Sequence, residues 1–76
     1  MKEILENLIK SLVENTEEVT ITEKEEGKTI VFEVKVAEAD MGKVIGRQGR
    51  VAKSIRTVMK SVAGKEHKKV AIEFLD

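Results

Sequence analysis

The sequence contains no cysteine, no proline, no tryptophan and no tyrosine, and its aromatic content is two phenylalanines. Without cysteine there is neither a disulfide framework nor a thiolate metal site, a composition that a reducing cytoplasm permits. A single histidine, His67, removes His-based metal centres and argues against a Ser-His-Asp arrangement. The two aromatics, Phe32 and Phe74, fall at alternating strand positions that read as core. This speaks against folds of the RRM or OB type, which stack nucleobases on exposed aromatics. Lysines and acids interrupt every apolar stretch before it reaches the length of a membrane span or a signal-peptide core. The expectation is a cytoplasmic protein with no membrane association. At 76 residues the chain is expected to be one domain over 1–76, with no room for a deep substrate cleft, and a chain this short buries only about 60% of the surface it exposes when unfolded.

What the sequence does contain is 41% hydrophobic and 37% charged residues, the composition of a folded chain and not of a disordered tail. The net charge of zero conceals segregation. Residues 1–40 carry five lysines against eleven acids, residues 41–65 carry seven bases and no acid, and residues 66–76 carry two lysines against three acids. The basic run is Lys43, Arg47, Arg50, Lys53, Arg56, Lys60 and Lys65. Taken alone it reads as a solvated helix face; its content decides whether it is more.

Residues 2–14 place Ile4, Leu5, Leu8, Ile9, Leu12 and Val13 at helical spacing, an amphipathic helix whose apolar arc spans about half the circumference. Such a stripe reads as core, and its width leaves a flank for a partner as the alternative. Val19 and Ile21 alternate with threonines as a strand, Glu25 to Lys28 form a turn, and residues 29–37 alternate as a second, antiparallel strand. A short helix is expected near Asp40 to Ile45. A longer one over Arg50 to Ala63 follows, with Val51, Ile55, Val58, Met59 and Val62 inward and Gly64 at a left-handed C-cap. Val70, Ile72 and Phe74 make a last strand. The order is α-β-β-α-α-β. A right-handed crossover through two helices returns the last strand parallel to residues 29–37, so the fold class is α+β with a three-stranded mixed sheet, that strand central, and helices on one face.

Between the two later helices lies Lys43-Val44-Ile45-Gly46-Arg47-Gln48-Gly49-Arg50. Glycines permit a sharp turn and close approach of a ligand backbone, while the start of the next helix offers unpaired N–H groups and partial positive charge to an anion. Val44, Ile45 and the stem of Arg47 can form an apolar wall for a nucleobase. The spacing fits neither a Walker loop nor the Gly-x-Gly-x-x-Gly dinucleotide fingerprint. A bare Gly-x-x-Gly is often only a helix connection; here it sits in an acid-free basic segment between two helices.

On these residues the sequence resembles the KH domains, whose Val-Ile-Gly-x-x-Gly signature matches Val44 to Gly49, with Ile55 in the helix that follows. The element order is that of the type II variant. From end to end, and especially from Asp40 to Arg50, it is similar to the small bacterial single-KH proteins of the KhpA family. Ala52 stands where many eukaryotic KH domains have isoleucine. The resemblance implies binding of single-stranded RNA, association as a homodimer or with a larger KH-containing protein, and a role as an RNA chaperone or post-transcriptional regulator in bacteria. No acid-base pair or metal constellation can be assembled from the residues present, so no enzyme activity, cofactor, metal or small-molecule substrate is expected. The expected RNA-binding residues are Lys43, Val44, Ile45, Gly46, Arg47, Gln48, Gly49, Arg50 and Lys53. Arg47, Arg50 and Lys43 neutralise phosphates, Gln48 meets a phosphate or sugar oxygen, and bases lie over Val44, Ile45 and Val36 or Val34. The alternative is a dimerisation or protein-interaction module in which RNA binding is secondary.

Overall fold

A computed structural model describes residues 1–75. Helix α1 spans Lys2–Leu12 and ends where Val13 turns extended. Strand β1 (Thr20–Glu26) and strand β2 (Thr29–Lys35) form a hairpin around Gly27 and Lys28. A short helix α2 (Met41–Ile45) leads through a tight turn at Arg47–Gly49 into α3 (Arg50–Lys65), and β3 (Lys69–Leu75) is the last element among the described residues. The sheet order is β1-β2-β3, with β1 antiparallel and β3 parallel to the central β2, Phe32 lying between Glu23 and Ile72. The expected mixed sheet with residues 29–37 at its centre is thus the observed one, although β2 ends at Lys35.

β2 and the residue just past its end supply the floor of the core: Ile30, Phe32, Val34 and then Val36 are all buried, as period-two alternation requires of one face. Leu5 and Ile9 of α1, Val44 of α2, and Ile55 and Met59 of α3 pack against them. Burying each such side chain contributes about 1.5–3 kcal/mol. In α1 the whole stripe was expected inside, but Ile4 and Leu12 remain exposed at 42% and 37%. In α3 the buried line is Ala52, Ile55, Met59 and Ala63, while Val58 points outward. The two alanines let α3 lie close to the core, which rotates the helix away from the valines that hydropathy favours.

The end of α3 also differs from expectation. Gly64 stays helical, and the left-handed residue is His67, with φ of 57°. His67 N–H donates to the Gly64 carbonyl at 3.1 Å and Lys68 N–H to that of Ala63 at 2.9 Å, the Schellman pattern placed three residues later. His67 itself is exposed, as expected. Both sheet edges are guarded by charge. On β1 only Ile21 is buried, and Glu23 and Glu25 on the same face are exposed. On β3, Arg56 reaches from α3 to the Ile72 carbonyl, with Nε at 3.4 Å and Nη2 at 3.2 Å, and covers the half-buried Phe74 ring at 5.4 Å. No helix among the described residues is long and apolar enough to cross a membrane.

Candidate nucleic-acid interface

The Gly-x-x-Gly segment forms the corner between α2 and α3. Gly46 adopts φ 76° and ψ 174°, a conformation essentially reserved for glycine, and its N–H closes α2 on the Gly42 carbonyl at 2.9 Å. A Cβ here would run into Val51, lying 2.8 Å from its Cβ and 2.9 Å from its backbone nitrogen. Gly49, at φ 74°, bonds back to the Gly46 carbonyl at 3.2 Å, and a Cβ on it would meet nothing within 4 Å. Gln48 between them is also left-handed, at φ 57°. The corner is closed toward the protein at Gly46 and open toward solvent at Gly49.

Around that opening stand exposed Arg47, Gln48, Arg50 and Lys53. No ion pair among the described residues involves Arg47, Arg50 or Lys53. Their charge adds to the positive end of the sixteen-residue α3. Ser54 and Thr57 instead donate to carbonyls one turn back, those of Arg50 and Lys53, both at 3.0 Å.

Two expectations require correction, on the valines and on Phe74, and Lys43 makes ion pairs that the sequence did not show. Val44 and Val34 are fully buried, so no base can lie over them; Val44 supports the turn from below, and of the two apolar side chains of that wall only Ile45 is half-exposed, while Val36 keeps 6% exposure. Lys43 is exposed but engaged, its ammonium 2.9 Å from Glu14 and 3.4 Å from Asp40. Phe74, expected in the core, is only half-buried, because it sits on an edge strand under Arg56.

Asp40 was not singled out from sequence. It is 1% exposed, the one buried charged side chain among the described residues. Its carboxylate accepts from the backbone N–H of Asn15 at 2.9 Å and of Glu14 at 3.3 Å, and from Asn15 Nδ2 at 3.1 Å. The Asn15 N–H leads these donors in holding the Asp40 carboxyl below its usual range against the opposing effect of burial, with Glu14 N–H, the Asn15 amide and Lys43 adding to it. Glu14, and secondarily Asp40, raise the Lys43 ammonium in turn. An aspartate just before a helix reads locally as an N-cap. Nothing in its spacing shows that it bonds residues 25 and 26 positions earlier.

A mixed β1-β2-β3 sheet in an α-β-β-α-α-β chain, with a Gly-x-x-Gly corner between α2 and α3, defines a KH domain of type II. The chain belongs to the family described as "KhpA/KhpB, KH domain", whose model matches residues 2–74. It is 52% identical to the RNA-binding protein KhpA of Clostridium acetobutylicum, over 99% of this chain and 100% of that one. To the protein of the same name from Aquifex aeolicus it is 43% identical, over 100% and 96% of the two chains. Among solved structures it is similar to Aquifex aeolicus Era bound to GDP and aluminium fluoride, with a TM-score of 0.64 and 18% identity. A complex of Era with part of 16S ribosomal RNA gives 0.57 and 20%. Both likenesses cover 95% of this chain and 28% of the Era chain, and they show the shared fold.

Proposed function

We propose that the chain is a binding module, not an enzyme, that holds single-stranded RNA across the Gly46–Gly49 corner, acting in the cytoplasm as an RNA chaperone or post-transcriptional regulator. The observation that carries this reading is the open space at Gly49, ringed by Arg47, Arg50 and Lys53 around the start of α3, none of them ion-paired among the described residues. A sugar-phosphate backbone passing there approaches the main chain without meeting a side chain. Its phosphates face three positive charges, and the Gln48 amide can donate to a phosphate or sugar oxygen. Bases have two apolar surfaces available: Ile45, and the shallow groove of about 250 Å³ between α3 and β3, lined by Arg56, Lys60, Val70, Ala71 and Ile72. The naming of its relatives as RNA-binding proteins supports the same reading.

The test is fluorescence anisotropy of a short labelled single-stranded RNA with wild type and an Arg47→Asp, Gln48→Asp variant, after both are shown to be folded. With three phosphates neutralised and a single-strand slope of about 0.7 per phosphate, a fourfold rise in salt weakens wild-type binding by roughly an order of magnitude. The variant is expected to retain no RNA. Salt-insensitive binding, or binding unchanged in the variant, refutes the corner as the clamp.

A second reading, association with another KH domain, is favoured by a separate observation. Leu8, Leu12, Val51, Ile55 and Val58 line an apolar depression of about 200 Å³ between α1 and α3. Leu12 and Val58 are exposed there at 37% and 43%. A homodimer, or a heterodimer with a larger KH-containing protein, covers this strip and joins two weak RNA clamps into a tighter one.

A further inference from the structure

Helix α2 has five residues, too few to hold its own orientation. Its direction sets how the Gly46–Gly49 corner faces solvent, so whatever anchors α2 aims the site. Val44 pins its middle in the core, and Gly46 rests on Val51 at its end. These contacts, with Met41 and Ile45 packed against the same core, are apolar and non-directional. The directional anchor is at the other end, where Asp40 takes three hydrogen bonds from Glu14 and Asn15 as they leave α1. Lys43, one turn along α2, reaches back to Asp40 and Glu14 and so extends toward the anchored end of the helix. Its contact with Glu14 is exposed and contributes little by itself; the buried carboxylate gives the cluster its geometry.

We propose that Asp40 is a positioning residue for the glycine corner: with Asn15, Glu14 and Lys43 it braces α2 against the end of α1, and the charge of Lys43 is used in this brace and not on a phosphate. The role in RNA binding rests on the reading given above; the bracing of the corner does not. Fixing a recognition segment in its bound geometry before the ligand arrives reduces the ordering cost of binding.

The experiment compares full-length wild type with Asp40→Ala, Asp40→Asn, Lys43→Gln and Arg47→Gln. Amide hydrogen exchange is read without RNA at Gly46 and Gly49, whose N–H groups bond to the Gly42 and Gly46 carbonyls, with Phe32 in the central strand as reference. Anisotropy with a labelled single-stranded RNA is then read across a salt series. In the Asp40 variants the Gly46 and Gly49 amides are expected to exchange about tenfold faster relative to Phe32. RNA affinity falls by a factor of about three to thirty, with the salt slope unchanged. Lys43→Gln also keeps the wild-type slope, whereas Arg47→Gln lowers it by about 0.7. A loss of global structure in Asp40→Ala leaves Asp40→Asn, of the same size and shape, to carry the comparison. Corner amides whose exchange relative to Phe32 is the same in the Asp40 variants as in wild type overturn the brace. A slope lowered by Lys43→Gln as much as by Arg47→Gln overturns the assignment of its charge. If wild type holds no RNA at any salt, the RNA reading fails, and the exchange comparison still decides the brace.

Discussion

At Gly46 a Cβ would collide with the backbone and side chain of Val51, whereas at Gly49 it would enter empty space. The two glycines of one motif therefore answer to different demands. Gly46→Ala combines a glycine-only conformation with a steric clash and is expected to cost about 3 kcal/mol or more. In a domain of this size that lowers the melting temperature by roughly 12 °C or more. Gly49→Ala carries only the left-handed penalty of about 1–2 kcal/mol. It should fold, while placing a methyl group where an RNA backbone would pass. Calorimetry of the two variants checks the ordering, and equal losses would contradict it. At Asp40 the prediction concerns pH. Its folded value lies below the ordinary 3.8 of the unfolded chain, so its contribution is present above that value and is lost as pH falls through the lower, folded one. Wild type should melt above Asp40→Asn at neutral pH, and the gap should close in acid. Of these residues the motif glycines were legible in the sequence because their spacing is local. Asp40 was not, because its partners lie 25 and 26 positions away.

The elements show the same division. The alternation of Ile30, Phe32, Val34 and Val36 announces a strand with one buried face, and every one of those residues is buried. Helix α3 was legible as a helix but not in its rotation. Hydropathy favours Val51, Val58 and Val62, while close packing favours Ala52 and Ala63, and in a dense interior the small residues decide how near two elements can come. Its end was misread for a related reason. Glycine is the usual left-handed cap, yet the Schellman bonds need their carbonyls at Ala63 and Gly64, so the left-handed position falls to His67. His67→Gly relieves that strain. Against the larger backbone entropy glycine loses on folding, it is expected to stabilise by about 0.5–1 kcal/mol, read as a rise of roughly 2–8 °C in melting temperature. An unchanged or lower melting temperature would show that His67 is held by more than backbone geometry. Arg56 belongs to the basic run by sequence, and its contacts with Ile72 and Phe74 make it the cover of the β3 edge.

For the whole molecule, charge segregation along the chain becomes segregation in space. The acid-free stretch supplies α2, the corner and α3, while acids gather in the β1-β2 hairpin, where Glu25 pairs with Lys68 at 3.7 Å and Glu33 with Lys24 at 3.3 Å. A neutral chain can thus present a cationic corner without becoming a general polyanion binder. The apolar strip on α1 and α3 gives a further prediction at this scale. Val58→Asp puts a charge on an exposed position, so the fold should persist while any dimer seen by sedimentation equilibrium dissociates. Association unchanged in this variant would exclude the strip as the interface. Sequence alone determined the order of the elements, the parallel return to a central β2 and the position of the corner, because periodicity, glycine spacing and crossover handedness are local or nearly so. Tertiary structure alone decided which valines face outward, which cations are free and which are paired, and that a buried aspartate joins α1 to α2. Each of these depends on distances between residues that the chain brings together only by folding.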